Sequence, residues 1–361
     1  MVNTVLPSPV RLSSLLGLLL SMMVLTGPAT ADTGSRVPDR GPETSEAVAE
    51  TFRQKNGSVF VGWSRPQALL VITGELNGYI EPCGCTGKEN QKGGLSRRQN
   101  LLRAVTAAGW PLVSVDLGNQ VRRFGRQAEV KFQSVADGLR EMGYAAVGFG
   151  PEDLRLPAEE LIAAVAAVGD QGTPFASSNV GLLGLDTGLT PRFQIVEAGG
   201  LKIGIASVLG DSEVDTIRND SLEMIPAAEA LGEVSQQLSA AGCDHQVLLS
   251  YASPEESRRL AEVFPQFDVV VTAGGADEPP MIPPQLNSDT GVLVELGHKG
   301  MFAVAIGFYD DPQAAATAVQ PPMKTSSGRF LRTQRVPLDA RWGESDEMIR
   351  LLGSYQVQLE T

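Results

Sequence analysis

The apolar run at 68–73 (ALLVIT) leads directly into Gly74-Glu-Leu-Asn-Gly78. It has the length of a strand and none of the polar alternation of a half-exposed one, so both of its faces must be covered. No other feature constrains the chain as much, because such a strand needs a sheet with packed layers above and below it. The loop beyond it carries Cys83-Gly-Cys85, and Gly93-Gly94 then opens a helix over 95–107 with Arg97 and Arg98 in its first turn. A strand, a polar loop and a helix in that order place a site at the carboxyl end of the strand.

The unit recurs along the chain. A second buried strand at 111–115 ends in Asp116-Leu-Gly-Asn119, and Phe132, Val135, Leu139 and Met142 follow at helical spacing. A short strand at 145–147 runs into Gly148-Phe-Gly-Pro151. Leu161, Ile162, Val165 and Val168 mark another amphipathic helix, and a strand at 174–177 ends at Ser178-Asn179. The pattern then changes to a β-hairpin, 193–197 and 201–207, across Gly199-Gly200. A helix at 227–240, a strand at 246–250, a helix at 254–263 and a strand at 267–272 come next. The pair 292–296 and 301–308 predicts a second hairpin across Gly297-His-Lys-Gly300. Strand–helix units beside hairpins predict a mixed sheet in an α/β (α+β) protein. Residues 311–361 predict a linker, an edge strand at 330–338, and a terminal helix with Met348, Leu351, Leu352 and Tyr355 on one face.

The amino end has a different character. Arg11 precedes the apolar core 15–25 (LLGLLLSMMVL), and Ala29-Thr-Ala31 has the small-x-small form of a cleavage site. Residues 1–31 read as a secretory signal peptide, which predicts an exported, periplasmic or extracellular protein with no membrane span after cleavage. Residues 32–67 are polar and read as a disordered leader. The net charge of −13 argues against a nucleic-acid partner or an anionic membrane, since both require a basic face. Three cysteines make an odd count for an exported chain, and only His245 and His298 supply imidazole.

The ordered series of strand-end loops carries a resemblance. Thr73-Gly-Glu-Leu-Asn-Gly78, Gly93-Gly-Leu-Ser-Arg97, Val115-Asp-Leu-Gly-Asn119, Val147-Gly-Phe-Gly150, Ser177-Ser-Asn179, Leu249-Ser-Tyr251 and 268–275 (DVVVTAGG) succeed one another. With the hairpin at 196–204 (VEAGGLKIG), this succession over 68–310 resembles the calcineurin-like metallophosphoesterases, in particular the catalytic domain of exported bacterial 5′-nucleotidases. The resemblance implies a two-sheet β-sandwich with helices on both outer faces. It also implies two divalent metals that activate a water for attack on phosphorus. Carried over position by position, nearly every metal ligand is replaced. Glu75 and Asn77 stand for Asp and His, Asn119 for the bridging Asp, Phe149 and Gly150 for an Asn-His pair, Tyr251 for a lone His, and Gly274 and Ala276 for the last two histidines. Glu75, Asn77 and Asn119 are left as candidates for one divalent ion, Zn, Mn, Mg or Ca.

Among proteins that resemble this family, the Glu81-Pro-Cys-Gly-Cys85 loop is similar to that of an exported subgroup, some members of which are joined to multihaem cytochrome domains. This chain has no Cys-x-x-Cys-His haem site of its own. Three roles stand for Cys83 and Cys85: a strained, reducible disulfide, a soft-metal pair with His298 as third donor, or a structural pin. Arg97 is a candidate anion contact, and Asn179 and Tyr251 are candidates for lining the cleft. Asp116 is read as orienting a loop, and Cys243 and His245 as lying at the far end of the sheet. The expected function is a binding or redox-accessory module working through the cysteine loop, with a multihaem cytochrome or another exported redox partner. Two alternatives are an active hydrolase of phosphate esters or nucleotides with a rebuilt metal site, and a structural domain that docks a multihaem cytochrome.

Overall fold

The structure, a computed structural model, describes residues 36–360 apart from 83–86, 88–89, 167–171, 186–187, 287–288 and 318–319. The signal-like segment 1–31 and Val168 of the expected helix lie outside the described residues. The first half runs α1 (Glu46–Asn56), β1 (Ala68–Thr73), α2 (Leu95–Ala107), β2 (Leu112–Asp116), α3 (Arg126–Glu141), β3 (Ala146–Val147), α4 (Ala158–Val165) and β4 (Val180–Leu182). It continues through β5 (Phe193–Ala198), β6 (Leu201–Leu209), α5 (Asp211–Val214), β7 (Leu222–Met224), α6 (Ala227–Ala240), β8 (His245–Tyr251), α7 (Pro254–Val263) and β9 (Val269–Thr272). The last elements are β10 (Val292–Glu295), β11 (Phe302–Tyr309), α8 (Pro312–Ala315), β12 (Met323–Lys324), β13 (Phe330–Pro337) and α9 (Asp346–Glu360).

Two sheets form the centre, in the orders β12-β13-β11-β1-β2-β3 and β10-β9-β8-β6-β5. β1 pairs parallel with β2 and antiparallel with β11, so the first sheet is mixed as expected. All of β1 is buried. Strand periodicity explains how the second sheet covers both faces. Val247, Leu249 and Tyr251 of β8 join the large core between the sheets, whereas Leu248 faces the smaller core under α6 and α7. Val269 and Val271 of β9 point into the first core and Val270 into the second. On the outer side of the first sheet, α2 and α3 pack with α9. The result is the αββα sandwich that the resemblance implies.

Three expectations are corrected. The strands at 292–296 and 301–308 are not a hairpin. β10 extends the second sheet beside β9, β11 crosses to the first beside β1, and the segment of His298 is the crossover between them. Residues 32–67, expected as disordered leader, are folded in their described part, 36–67. α1 buries Ala49 and Phe52, and Val59, Phe60 and Trp63 join the main core. Phe60, Trp63 and Trp110 form an aromatic cluster, with the Arg332 guanidinium over the Trp63 ring at 4.7 Å. Polar composition hid this because a few large rings and one guanidinium anchor the segment. The expected strand at 174–177 is reduced to a single bridge, Val147 to Phe175.

The clamp that holds α1 is ionic. Arg341 is fully buried, pairs with the equally buried Asp339 at 2.9 Å, and donates to the Phe52 and Gly57 carbonyls at the end of α1. Replacing Arg341 by Met leaves Asp339 buried without its cation. The variant is expected to lose about 3–5 kcal/mol of unfolding free energy in urea denaturation. A loss below about 1 kcal/mol, the size of an exposed pair, would show that the pair is not desolvated.

Candidate functional site

The site is built on the strand ends. β1 and β2 finish side by side, Thr73 opposite Asp116, and their loops are laced together. The Glu75 N–H donates to the Gly118 carbonyl at 3.0 Å and the Asn77 N–H to the Asn119 carbonyl at 2.9 Å. Glu75, Asn77 and Asn119 all have left-handed backbones, with φ of 52°, 51° and 63°. Three non-glycine residues in that region within one cluster is a strained arrangement that the surrounding packing must enforce. Part of the enforcement is close approach: a Cβ on Gly150 would lie 2.4 Å from the Asn119 Cβ, so only glycine fits there.

The expected candidates meet, and they saturate one another. Asn119 Nδ2 donates to Asn77 Oδ1 at 2.7 Å, and Asn77 Nδ2 donates to the Glu75 carboxylate at 3.0 Å. The Tyr251 hydroxyl, at the end of β8, and the Gly274 N–H, after β9, also lie near the Glu75 carboxyl and favour its charged form. Asn119 Oδ1 accepts from the Glu152 N–H at 3.3 Å. Four of the positions aligned with metal ligands (75, 77, 119 and 251) therefore carry a carboxylate and the side chains that hydrogen-bond around it. Phe149, at a fifth, is buried and stacked on Phe175 at 5.4 Å.

This donor set does not fit a two-metal centre. The Asn77 amide nitrogen points at the carboxylate and that of Asn119 at the Asn77 oxygen, the amide oxygens already accept N–H groups, and no group of three or more His, Cys, Asp or Glu among the described residues is placed to hold a metal ion. Two further carboxylates lie close beneath, and both are committed. Asp116 is fully buried and accepts from Thr73 Oγ1 at 2.6 Å, Arg98 Nη1 at 2.9 Å, the Gly118 N–H at 2.9 Å and Gln120 Nε2 at 2.6 Å. It orients the loops, as its position in the sequence suggests. Asp153 accepts from the backbone N–H groups of Asn119, Gln120, Val121 and Gly150.

Other candidates are not at the cleft. Arg97 does not present itself to an anion, because its guanidinium is buried against the Gln91 carbonyl at 2.8 Å and Glu344 at 3.4 Å. Arg98 is buried completely rather than lying on a helix surface. Asn179 does not line the cleft. It is fully buried and bridges β6 to the segment before α6 through the Leu209 N–H, the Leu209 carbonyl and the Ile225 carbonyl. His298 is partly exposed, its Nδ1 3.1 Å from the Asp277 carbonyl, while its neighbour Gly300 donates to the Glu75 carbonyl at 2.9 Å. Its segment therefore reaches the rim. Cys83 and Cys85 lie outside the described residues. Cys243 is a free thiol, and His245 begins β8, at the end opposite Tyr251, bonded to Asp268 at 2.8 Å. Asp153 and Glu295, which accepts from the Ala276 N–H at 2.8 Å, escaped the sequence reading. The only signal for Asp153 was an acid just after the glycine-rich turn at 148–151.

The fold is that of the metallophosphoesterases of 5′-nucleotidase type. Among solved structures it is similar to a 5′-nucleotidase precursor from Thermus thermophilus, with a TM-score of 0.63 and 17% identity over 81% of this chain and 59% of that one. It is also similar to the sulfate thiohydrolase SoxB of the same species, with a TM-score of 0.64 and 14% identity over 81% of this chain and 61% of that one. The calcineurin-like phosphoesterase YfkN of Bacillus subtilis matches with a TM-score of 0.59 and 12% identity over 81% of this chain and 98% of that one. The chain thus spans about three fifths of the nucleotidase and SoxB chains. No protein-family model and no curated protein matches the sequence.

The cluster predicts a pH dependence. Burial raises the Glu75 carboxyl above its ordinary range, against the hydrogen bonds from Asn77 and Tyr251. Burial likewise pushes Asp153 from 3.8 up to about 7, against its four N–H donors. A carboxyl raised on folding contributes stability that is fully present below its unfolded value and lost as pH rises through its folded value. The urea midpoint is therefore expected to fall between pH 3.8 and about 7. Glu75→Gln, which has no proton to lose, should give a shallower decline. A rising midpoint over that window would contradict this account.

Proposed function

We propose that this chain is a binding or redox-accessory module built on a metallophosphoesterase fold, and not a phosphoesterase of the two-metal kind. The observation that carries the reading is the hydrogen-bonded chain from Asn119 through Asn77 to the Glu75 carboxylate, with Tyr251 beside it. Two-metal hydrolysis needs lone pairs directed at two cations that share a bridging carboxylate. Here amide and hydroxyl donors are aimed at the one carboxylate that remains. Hydrogen bonds do the cross-linking of loops that cations would otherwise do.

The working part of the module is then the stretch in which Cys83 and Cys85 follow Glu75 and Asn77 in the sequence. The signal-like segment 1–31 supports export, and no helix among the described residues is long and apolar enough to cross a membrane. In an oxidising compartment a Cys-x-Cys pair can cycle with an exported redox partner such as a multihaem cytochrome, or hold a soft metal. Docking of a partner through the C-terminal helix is less well supported. Met348, Leu352 and Tyr355 are buried, and α9 packs on α2 and α3.

The test is metal analysis of the full chain exported into an oxidising compartment, with a thiol count and assays on a nucleoside monophosphate and an aryl phosphodiester. The expected result is no stoichiometric Mn or Zn pair, and turnover no higher than that of Glu75→Ala. A metal pair with turnover that Glu75→Ala abolishes would overturn the reading in favour of an active hydrolase. Thiol titration before and after reduction, repeated on Cys83→Ser, separates a disulfide from free thiols at the rim.

A further inference from the structure

We infer that the loop at 121–127 is a docking surface for an acidic protein partner, placed on the rim of the Glu75 cluster. The segment reads Val-Arg-Arg-Phe-Gly-Arg-Gln, which puts three arginines around one phenylalanine in a chain of net charge −13. Arg122 to Gln127 are all exposed. Phe124 is 87% exposed, more than any other large hydrophobic residue among those described. A single exposed aliphatic side chain is unremarkable, but a fully presented aromatic ring loses about 150–250 Å² of favourable burial in water.

The loop is presented by a fixed base. The Gly78 N–H donates to the Gln120 carbonyl, the Val121 N–H to Asp153 at 3.2 Å, and the Arg123 N–H to Glu152 at 3.2 Å. Arg123 is held at φ 76°, a conformation that costs a non-glycine residue free energy and that the Glu152 bond helps to maintain. The base is therefore the same Asp153 anchor that sets Asn119. Two of the three cations of the tip have no ion-pair partner among the described residues. Arg126 sits 3.8 Å from Glu129 and 3.6 Å from Glu160, whereas Arg122 and Arg123 form no ion pair among the described residues.

Arginine and aromatic side chains are the residues that dominate protein–protein hot spots, where the ring fills an apolar hollow and the guanidinium groups meet carboxylates. The complementary surface is an acidic face with an apolar recess. Nucleic acid requires a broad basic face, and stable membrane attachment requires more than one anchor, so a short loop on an acidic chain favours a protein. The overall charge does not forbid it, because at physiological salt charges beyond about 8 Å are largely screened and the local patch decides. The inference goes beyond the reading of the chain as a binding module and stands on the exposure and charge of this loop. Metal-dependent turnover would sink that reading and leave the docking loop standing.

The test places a photo-crosslinking amino acid at position 124 of the full chain, in its own cells, with position 263 as an exposed control. The expected result is a crosslink from 124, and not from 263, to a protein segment that carries Asp or Glu. The purified crosslinked protein should then bind the unmodified chain, with affinity reduced at least about tenfold by Arg122→Glu with Arg123→Glu, by Phe124→Ser, and by raised salt. Charge reversal on the partner segment should restore binding to the double variant. Crosslinks to lipid or nucleic acid, equal crosslinking from 263, no crosslink, or variants that bind as well as the parent would each overturn the proposal.

Discussion

The buried Asp116 carboxylate is the interaction on which the strand-end architecture depends. It ties the end of β1 through Thr73, the first turn of α2 through Arg98, and its own loop through the Gly118 N–H and Gln120. Both partners of the Arg98–Asp116 pair are inaccessible to solvent, so neither can be lost alone without leaving an uncompensated charge. The pair also holds Tyr144, whose hydroxyl lies 2.9 Å from Thr73 Oγ1 and whose phenol burial pushes up to about 12. With β1, β2 and α2 locked at this point, the loops that follow have little freedom. Their left-handed residues are enforced from below.

Above that anchor lies a cluster at the positions where the sequence resemblance implies a dinuclear metal centre, and its chemistry is not that of one. A divalent cation draws several carboxylates and imidazoles together by neutralising them. Here one carboxylate is drawn together with neutral donors, and its burial cost appears as a raised proton affinity. The loops keep their places because hydrogen bonds between Asn119, Asn77, Glu75 and Tyr251 substitute for coordination. On the proposed reading, such a cluster stabilises geometry in place of activating a water. What it holds in place is the base of the arginine–phenylalanine loop, through Gly78, Gln120 and Asp153.

Much of the fold was legible in the sequence because it is written in local periodicity. The helices at 95–107, 227–240 and 254–263 and the strand at 68–73 fall where their apolar spacing puts them. Partner choice was not legible. Val292–Glu295 and Phe302–Tyr309 look like the arms of a hairpin, yet they join different sheets. A six-residue glycine-containing connection serves a sheet-to-sheet crossover as well as a turn. The arginines of α2 show the same gap. Arg97 reads in the sequence as an anion contact, but Leu338 and Glu344, more than 240 residues away in the chain, cover it, and Arg98 beside it turns inward onto Asp116.

By itself, the sequence determined that strands buried on both faces would alternate with amphipathic helices, and that histidine is too scarce for the family's usual ligand set. Both are properties of residue type and spacing, which need no partner. Tertiary structure alone decided that Glu75, Asn77, Asn119 and Tyr251 close on one another, that Asp153 fixes the loop beneath them, and that Phe124 is left in solvent. Those outcomes depend on which loops converge at the strand ends. Convergence follows from how the two sheets pack, and a local pattern records how much a residue is buried without recording what it is buried against.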